Sequence, residues 1–331
     1  MKIISILVPK GDVALSCIEG SFTLFNKVND FLEMKGKPPM FKVQLVGLTK
    51  EAQVYQRLFK VYPDLILEEV KRTDLIIIPA VNGEMEKVIA LNADFLPWIV
   101  RQHHAGAEVA SLCVGSFLLA STGLLTGKKC STHWNAVHDF RRMFPDVNLV
   151  SEKIITDEEG IYSSGGANSF LNLILYLIEK YTGREMAVMA SKYFEIEIER
   201  ETQSQFIIFG GQKEHDDEPI LRAQAFIENN FQDKISVEQL ASMLAISRRN
   251  LERRFKKATS NTAVEYMQRV KIEAAKQSLE SSRENVNEVM YKVGYNDSKA
   301  FRNTFKRFTG LSPVEYRNKY NRENMLVREV R

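Results

Sequence analysis

Cationic and amide side chains recur along a short segment near the end of the sequence, residues 298–309. Phe301, Phe305 and Phe308 are spaced i, i+4 and i+7, which predicts a helix with one buried aromatic face. The opposite face carries Lys299, Arg302, Asn303, Lys306 and Arg307, and the predicted contacts to a ligand are the first four of these with Ser298 at the helix start. Guanidinium and amide groups form paired hydrogen bonds with base edges, and ammonium groups neutralise phosphates. These residue types therefore predict a helix that binds double-stranded DNA.

A second helix and a tight turn precede this segment. An apolar stripe at helical spacing ends at Gly294 and consists of Val286, Val289, Met290 and Val293. Ser298 has a side chain suited to cap the following helix, and Gly310 suits its left-handed C-terminal residue. Two helices joined by a short turn, the second cationic on its outer face, are typical of a helix-turn-helix unit.

The same unit occurs once before in the sequence. Residues 236–245 predict its first helix, and Ser247 caps a second helix whose buried pair is Leu251 and Phe255. The residues expected to face outward are Arg248, Arg249, Asn250, Arg253 and Lys257. Residues 262–279 predict one long amphipathic helix between the units. Two units on a rigid connector suit successive entries into the major groove about 34 Å apart.

Residues 220–320 resemble the DNA-binding domain of the AraC/XylS family of transcription regulators. The resemblance rests on Ser247-x-Arg249-x-Leu251-x-Arg253-x-Phe255, on Gly294-Tyr295, and on Phe305-Lys306-Arg307 followed by Gly310-x-Ser312-Pro313 and Tyr316-Arg317. The family usually has Gly before the connector helix and Pro at its start, where this chain has Ser260 and Ala263. A non-glycine residue in a left-handed conformation costs about 1 kcal/mol. We therefore expect a weaker turn at Ser260 and an otherwise intact domain.

Charge is distributed unevenly along the chain. Formal net charge is +3, but residues 220–331 hold 22 Lys and Arg against 13 Asp and Glu. The remaining residues hold 23 basic against 29 acidic side chains. A basic domain joined to a mildly acidic one indicates a nucleic-acid-binding module.

Strand-like and helix-like segments alternate over the first two hundred residues. The strongest strand predictions are Ile3–Val8, Phe41–Leu48, Leu75–Pro79 and Val109–Cys113, with weaker ones at 147–150, 153–156 and 161–163. Helices are predicted at about 19–34, 84–105, 116–122, 135–144 and 169–181. This alternation predicts an α/β domain with a doubly wound parallel sheet of the flavodoxin-like kind, which binds ligands at the carboxyl ends of its strands. No glycine-rich phosphate-binding motif is present, and we predict neither a cofactor nor a metal.

Cys113 ends an apolar strand and leads straight into a helix. A thiol on such a turn would have its pKa lowered by the helix-start N–H groups, and would be a candidate nucleophile. This strand end resembles the class I glutamine-amidotransferase-like superfamily, in its PfpI-like group fused ahead of AraC-type domains. Further matching residues, all within roughly 2–208, are Thr122-Gly123, Ser131-Thr132-His133-Trp134, Ser164-Gly165-Gly166 and Gln203-x-Gln205-Phe206.

Catalysis by Cys113 would need a base to hold the thiolate. Hydrolytic relatives carry His directly after the nucleophile, where this chain has Val114, and the usual acidic position corresponds to Ser16. We therefore expect no enzyme activity. The alternative is a cysteine-dependent hydratase or deglycase tethered to DNA, with His133 as the partner of Cys113. A third reading is an unreactive, packed thiol.

An effector pocket is expected at these strand ends. Its predicted lining is Ser16, Asn82, Gly83, Cys113, Val114, His133 and Trp134. Relatives sense small nitrogenous metabolites, so the resemblance implies an amine or amino-acid-like effector.

The predicted organisation is a sensor domain over 1–208, a flexible linker over 209–219 and a DNA-binding domain over 220–331. Strict alternation at 193–199 predicts a strand with one acidic face. Three widely spaced cysteines and the lack of a membrane-length apolar run suit a cytoplasmic protein. We expect a homodimer that regulates transcription at a promoter or operator, with RNA polymerase as a candidate partner and no membrane.

Overall fold

Apolar runs form the inner strands of one mixed sheet in the first part of the chain. The structure is a computed structural model and describes residues 1–55, 58–198 and 202–321. Its strands are β1 (Lys2–Val8), β2 (Asp12–Val13), β3 (Phe41–Gly47), β4 (Ala52–Val54), β5 (Phe59–Val61), β6 (Leu65–Ile66), β7 (Leu75–Ile78), β8 (Val81–Asn82), β9 (Glu108–Leu112), β10 (Lys129–Cys130), β11 (Asn148–Leu149), β12 (Ile155–Glu158) and β13 (Ile161–Ser164).

The seven-stranded sheet has the order β12-β13-β9-β7-β1-β3-β6. All its neighbours run parallel except the edge strand β12, which is antiparallel to β13. The inner strands β7 and β9 are almost wholly buried, as a strand covered on both faces must be. The predicted α/β doubly wound sheet is confirmed. Residues 147–150, however, extend a separate small sheet, where β11 pairs with β10.

Helices cover this sheet in two groups. Those of residues 1–203 are α1 (Leu15–Met34), α2 (Met85–Leu91), α3 (Phe95–His104), α4 (Ser116–Ser121), α5 (Val137–Met143), α6 (Phe170–Thr182) and α7 (Arg184–Tyr193). Helices α1, α6 and α7 pack on one another, and α4 packs on α2 and α3. Among the described residues, no helix has the length and hydropathy that crossing a bilayer requires.

Two sequence predictions in this unit are wrong. The helix predicted over 84–105 is two helices, because the Asn92 side chain bonds to the backbone of Lys10 and replaces a continuing helical turn. The strand predicted over 193–199 does not form in its described part. Helix α7 runs to Tyr193 and ends in a turn, so the alternating residues 194–198 have no strand partner.

The contacts divide the chain between Gln203 and Ser204 into two units. The second unit is helical, with α8 (Glu218–Asn229), α9 (Val237–Met243), α10 (Arg248–Thr259), α11 (Ala263–Ser281), α12 (Val286–Lys292), α13 (Ser298–Thr309) and α14 (Pro313–Tyr320). It has two hydrophobic cores. One includes Leu251, Phe255 and Tyr266, and the other includes Phe301, Phe305 and Tyr316. Helix α11 contributes to both, so it is the connector that the sequence predicted.

The two cores repeat one arrangement fifty residues apart along the chain. Helices α10 and α13, here called the reader helices, have 12 residues each, and each is followed by a left-handed residue, Ser260 or Gly310. Thr259 and Thr309 both donate to the carbonyl four residues earlier, at 2.8 Å. The left-handed Ser260, with φ of +58°, is the strained turn expected from the sequence.

Side-chain caps fix where these helices begin. Ser236 and Ser247 cap α9 and α10 as predicted. The prediction that Ser298 caps the second reader helix is wrong, because Asp297 accepts the hydrogen bond from Ala300 N at 2.7 Å. Ser298 is the first residue of the helix, and a carboxylate at this end also suits the helix dipole.

The segment from Ser204 to Gln212, here called the strap, packs on the connector helix. The buried Lys276 Nζ donates to Ile207 O at 2.6 Å, and Phe209 N donates to Glu273 Oε2 at 3.1 Å. The Phe209 ring meets that of Tyr266 edge-on, with centroids 5.1 Å apart. The region predicted as a flexible linker therefore begins with ordered contacts to the helical unit, and Glu218 already belongs to α8.

Gly294 provides a direct test of the second helix-turn-helix turn. Its φ is +74°, and a Cβ there would lie 2.1 Å from Gln232 O. We expect Gly294→Ala to lower the free energy of unfolding by more than about 1 kcal/mol, since backbone must move. Urea denaturation of the full chain, followed by helical circular dichroism, measures this. Gly210, whose added Cβ would meet nothing within 4 Å, is the matched control. Equal stability of the two alanine variants would contradict the turn geometry.

Candidate nucleic-acid interface and effector site

The second reader helix presents a cationic face that forms no ion pair with any residue that the structure describes. Phe301 and Phe305 are buried, so the opposite positions are turned outward. Lys299, Arg302, Asn303 and Lys306 are all exposed, and Ser298 is half-buried at the helix start. In the described part of the chain, none of these three cations has an ion-pair partner, so their charges are available to a polyanion.

The first reader helix has a similar outward face with more internal contacts. Arg249, Arg253 and Lys257 are exposed, and Asn250 is half-buried. Arg253 Nη2 donates to Asn250 Oδ1 at 3.0 Å, which holds the two side chains together. Arg248 pairs with Glu238 and, at 2.9 Å, with Glu252. Because water and salt screen such exposed ion pairs, phosphate can displace these carboxylates.

Arg254 anchors the first reader helix, although the sequence predicted no role for it. The Arg254 guanidinium donates to both oxygens of Asp217, at 2.9 and 2.6 Å. This bidentate contact lowers the pKa of Asp217 below its ordinary value. Asp217 also caps α8, so it joins α8 to α10. Nothing in the local sequence pattern pairs two residues 37 positions apart.

Cys113 lies on a strained turn between β9 and α4. Its φ is +55°, and the next-but-one residue, Gly115, has no room for a Cβ, which would lie 2.6 Å from Ile78 O. Cys113 N donates to Ser164 Oγ at 3.4 Å, and Thr132 Oγ1 donates to Cys113 O at 3.5 Å. The predicted sharp strand-to-helix turn is therefore present, and it is held by a side chain at the end of β13 and by one from the segment after β10.

The expected lowering of the thiol pKa is wrong. Burial, together with a smaller contribution from a second thiol, Cys17, raises the pKa of Cys113 to about 12. Burial likewise raises the pKa of Cys17 to about 11. Desolvation of the thiolate raises the Cys113 pKa by more than the helix-start N–H groups lower it, because α4 has only six residues and Cys113 is 7% exposed.

The sequence register assigned to Ser16 the position that should face Cys113, and the structure places Cys17 there instead. Helix α1 begins at Leu15 and buries Cys17, Ile18, Ser21, Leu24 and Phe25, which leaves Ser16 exposed. This helical periodicity was a readable signal. The structure thus places the Cys17 thiol, and not the Ser16 hydroxyl, beside the thiol of Cys113.

The other predicted pocket residues lie at the same end of the sheet with different exposures. Asn82 and Gly83 are exposed, and β8, which contains Asn82, contacts the Cys113 turn. Val114 is half-buried, as are His133 and Trp134, whose rings lie 5.3 Å apart. His133 Nδ1 accepts from Asn135 N at 3.1 Å, and burial lowers the pKa of the imidazole. The described residues contain no group of three His, Cys, Asp or Glu that could hold a metal.

Two family models match the chain in the order of its two units. The DJ-1/PfpI family model matches residues 31–180, and a helix-turn-helix domain model matches residues 240–319. The helix-turn-helix match includes both reader helices, and the DJ-1/PfpI match includes the Cys113 turn.

Curated relatives extend across both units. The HTH-type transcriptional regulator GbdR of Pseudomonas aeruginosa is 26% identical over 259 residues, which is 78% of this chain and 70% of that protein. The HTH-type transcriptional regulator CdhR of the same species is 25% identical over 255 residues, 77% of this chain and 75% of that protein. The chain is an AraC-type transcription regulator with a DJ-1/PfpI domain.

A solved structure supports the fold of the first unit of this regulator. A Vibrio parahaemolyticus protein assigned as a candidate transcriptional regulator superimposes with a TM-score of 0.52 and 22% identity. It covers 58% of the regulator and 98% of that chain.

Slow alkylation of Cys113 is the expected consequence of its raised pKa. At pH 7.5 we expect iodoacetamide to label Cys113 at least about a hundredfold more slowly than free cysteine, since little thiolate forms. Mass spectrometry of the labelled peptides measures the rate, and protein in urea provides the accessible control. The rate should rise as pH increases toward 10. Rapid labelling of the folded regulator at neutral pH would mean that burial does not control this thiol.

Proposed function

We propose that the regulator recognises its operator chiefly through the second reader helix, and that a small molecule bound in the DJ-1/PfpI domain controls this binding. The observation that carries the proposal is the contrast between the two faces of α13. Its aromatic side chains are buried, whereas Lys299, Arg302, Asn303 and Lys306 are exposed. A helix held by its core and bearing unpaired cations outward is suited to the major groove.

Within this face, side-chain chemistry divides the roles. Arg302 and Asn303 are suited to read base edges, because Arg bonds bidentately to guanine and Asn to adenine. Lys299 and Lys306 are suited to phosphates, which set position without specifying sequence. Ser298 at the helix start is a further phosphate contact.

The first reader helix is proposed to bind an adjacent groove with different specificity. The position equivalent to Arg302 is Glu252, which pairs with Arg248. A carboxylate accepts from cytosine, whereas guanidinium donates to guanine. Arg249, Asn250, Arg253 and Lys257 supply the remaining contacts. The two half-sites are therefore proposed to differ in sequence.

An effector function, and not catalysis, is proposed for the first unit. The thiol of Cys113 has a raised pKa, and its titrating neighbour is Cys17 and not a base. Val114, His133, Trp134 and the loop at Asn82–Gly83 are proposed to line the pocket, with Ser16 at its rim. The proposed effector is an amine or amino-acid-like molecule. We also propose that the regulator acts as a homodimer and that RNA polymerase is its partner at the promoter.

Arg302→Ala tests the recognition proposal. We expect a loss of about 1–3 kcal/mol on the cognate site and relaxed preference at one or two base pairs. The operator is first obtained by sequencing genomic DNA bound to the purified regulator. Fluorescence anisotropy at one fixed salt concentration then compares that operator with random duplex.

Arg307→Ala is the matched control on the same helix. Arg307 donates to Gln268 at 2.6 Å and stacks on Phe308, so its side chain is engaged within the protein. We expect this variant to keep its base preference. An equal loss for Arg302→Ala on operator and random DNA would reassign Arg302 to phosphate binding.

A further inference from the structure

The strap contacts both hydrophobic cores of the helical unit. Near its start, Lys319 Nζ donates to Gln205 Oε1 at 2.8 Å, and Lys319 belongs to α14, which packs in the second core. Further along, Phe209 packs on the first core. At its end, Gln212 Oε1 accepts from Asn261 Nδ2 at 3.1 Å, just after the first reader helix. The strap therefore extends along the connector helix from one helix-turn-helix unit to the other.

A buried charged pair fixes the position of the strap on α11. Lys276 is 4% exposed, and its Nζ donates to Ile207 O at 2.6 Å and to Glu273 Oε2 at 2.7 Å. Glu273 in turn accepts from Phe209 N at 3.1 Å. A buried charge has lost its hydration, so sliding the strap by one residue would leave both charged groups without their backbone partners. The strap is therefore held in one register.

Arg269 joins the strap to both reader helices. Its guanidinium carbon lies 5.8 Å from the ring centroid of Phe209, in the strap, and 4.7 Å from that of Phe308, in the second reader helix. Its Nε donates at 3.1 Å to Oδ1 of Asn261, which follows the left-handed turn at the end of the first reader helix. One half-buried side chain of α11 thus contacts three separate elements.

Phe308 is held from a second side as well. The guanidinium carbon of Arg307 lies 4.4 Å from the Phe308 centroid, and Arg307 Nη2 donates to Gln268 Oε1 at 2.6 Å. A planar guanidinium can stack on a ring and donate in its own plane, so it specifies orientation as well as distance. The second reader helix is therefore fixed on α11 at two adjacent residues, Gln268 and Arg269.

We propose that Arg269 and the strap form a clasp that fixes the distance and angle between the two reader helices, and so the number of base pairs between the two half-sites of the operator. Arg269 is a positioning residue, since it acts through Asn261, Phe209 and Phe308 and not on DNA. This inference rests on the proposed binding of both reader helices to DNA and adds a constraint on the geometry of the operator.

DNA geometry makes such a clasp measurable. One added base pair moves a half-site by about 3.4 Å along the duplex and turns it by about 35°. Two reader helices at a fixed angle and distance can therefore bind both half-sites at one spacing only. Reader helices that are free to move relative to each other can follow the displaced half-site. Breaking the clasp should thus relax the spacing requirement without changing which bases are read.

Operators with altered spacing test the clasp on the full chain. The operator found by sequencing bound genomic DNA is lengthened or shortened by one base pair between its half-sites, and Kd is measured by fluorescence anisotropy at one fixed salt concentration. We expect the altered spacing to raise the Kd of the wild-type protein at least about tenfold, and that of Arg269→Ala less than about threefold. The Kd for a duplex with a single half-site should be the same for both proteins.

Two further variants separate positioning from a loss of charge or of stability. Phe209→Ala removes the ring on the strap side and leaves α11 and α13 unchanged, so we expect the same relaxed spacing, including if Arg269→Ala does not fold. Arg222→Ala removes an exposed arginine of α8 and should keep the wild-type spacing ratio. Circular dichroism checks that each variant is folded. A variant that is only less stable would lose affinity by the same factor at every spacing.

The outcomes separate the clasp from the proposed function. A wild-type spacing ratio in either folded variant, Arg269→Ala or Phe209→Ala, would overturn the clasp and leave recognition by the second reader helix intact. Tolerance of altered spacing by the wild-type protein would also overturn it. Equal binding of operator and random duplex by the wild-type protein would overturn the proposed function, and the clasp with it.

Discussion

The DNA-binding unit depends on the burial of one aromatic face on each reader helix. Phe305 packs between Phe301 and Tyr316, with ring centroids 5.8 and 5.4 Å away, and Phe255 packs against Tyr266 at 5.3 Å. Rings of this size dominate the energetics of small cores. Because a helix that buries these rings cannot rotate, the opposite side chains must face outward. The aromatic cores therefore determine which residues can meet DNA.

Helix α11 and the strap connect the two hydrophobic cores of the helical unit. Two short helix-turn-helix units have little core of their own, and their relative placement depends on the connector helix. The strap packs on this helix through Ile207 and Phe209, and Lys276 is buried to hold it. The residues that follow the DJ-1/PfpI domain thus belong physically to the DNA-reading unit. These residues are therefore in direct contact with the helix that joins the two reader helices.

The DJ-1/PfpI domain has the backbone geometry of a nucleophile turn, and the thiol on that turn has a raised pKa. The backbone at Cys113 is strained, and Gly115 permits the close approach to β7. Yet burial and a neighbouring thiol stabilise the neutral form of Cys113. Strain at such positions persists because the surrounding structure holds it, and here that structure includes Ser164 and Thr132.

Local sequence determined the elements whose signals are short-range. The sequence predicted the buried aromatic spacing of Phe301 and Phe305, the Ser247 cap, the left-handed Ser260 and Gly310, and the inner strands. Each of these features depends on neighbours within about one helical turn or on the burial of a whole strand. The same reasoning failed at Ser298 and at 193–199, where equally plausible local patterns compete. Only the tertiary structure decided that Arg254 pairs with Asp217 and that Cys17 lies beside Cys113. These contacts join residues far apart in the chain, and the pKa of Cys113 follows from burial, which no local pattern specifies.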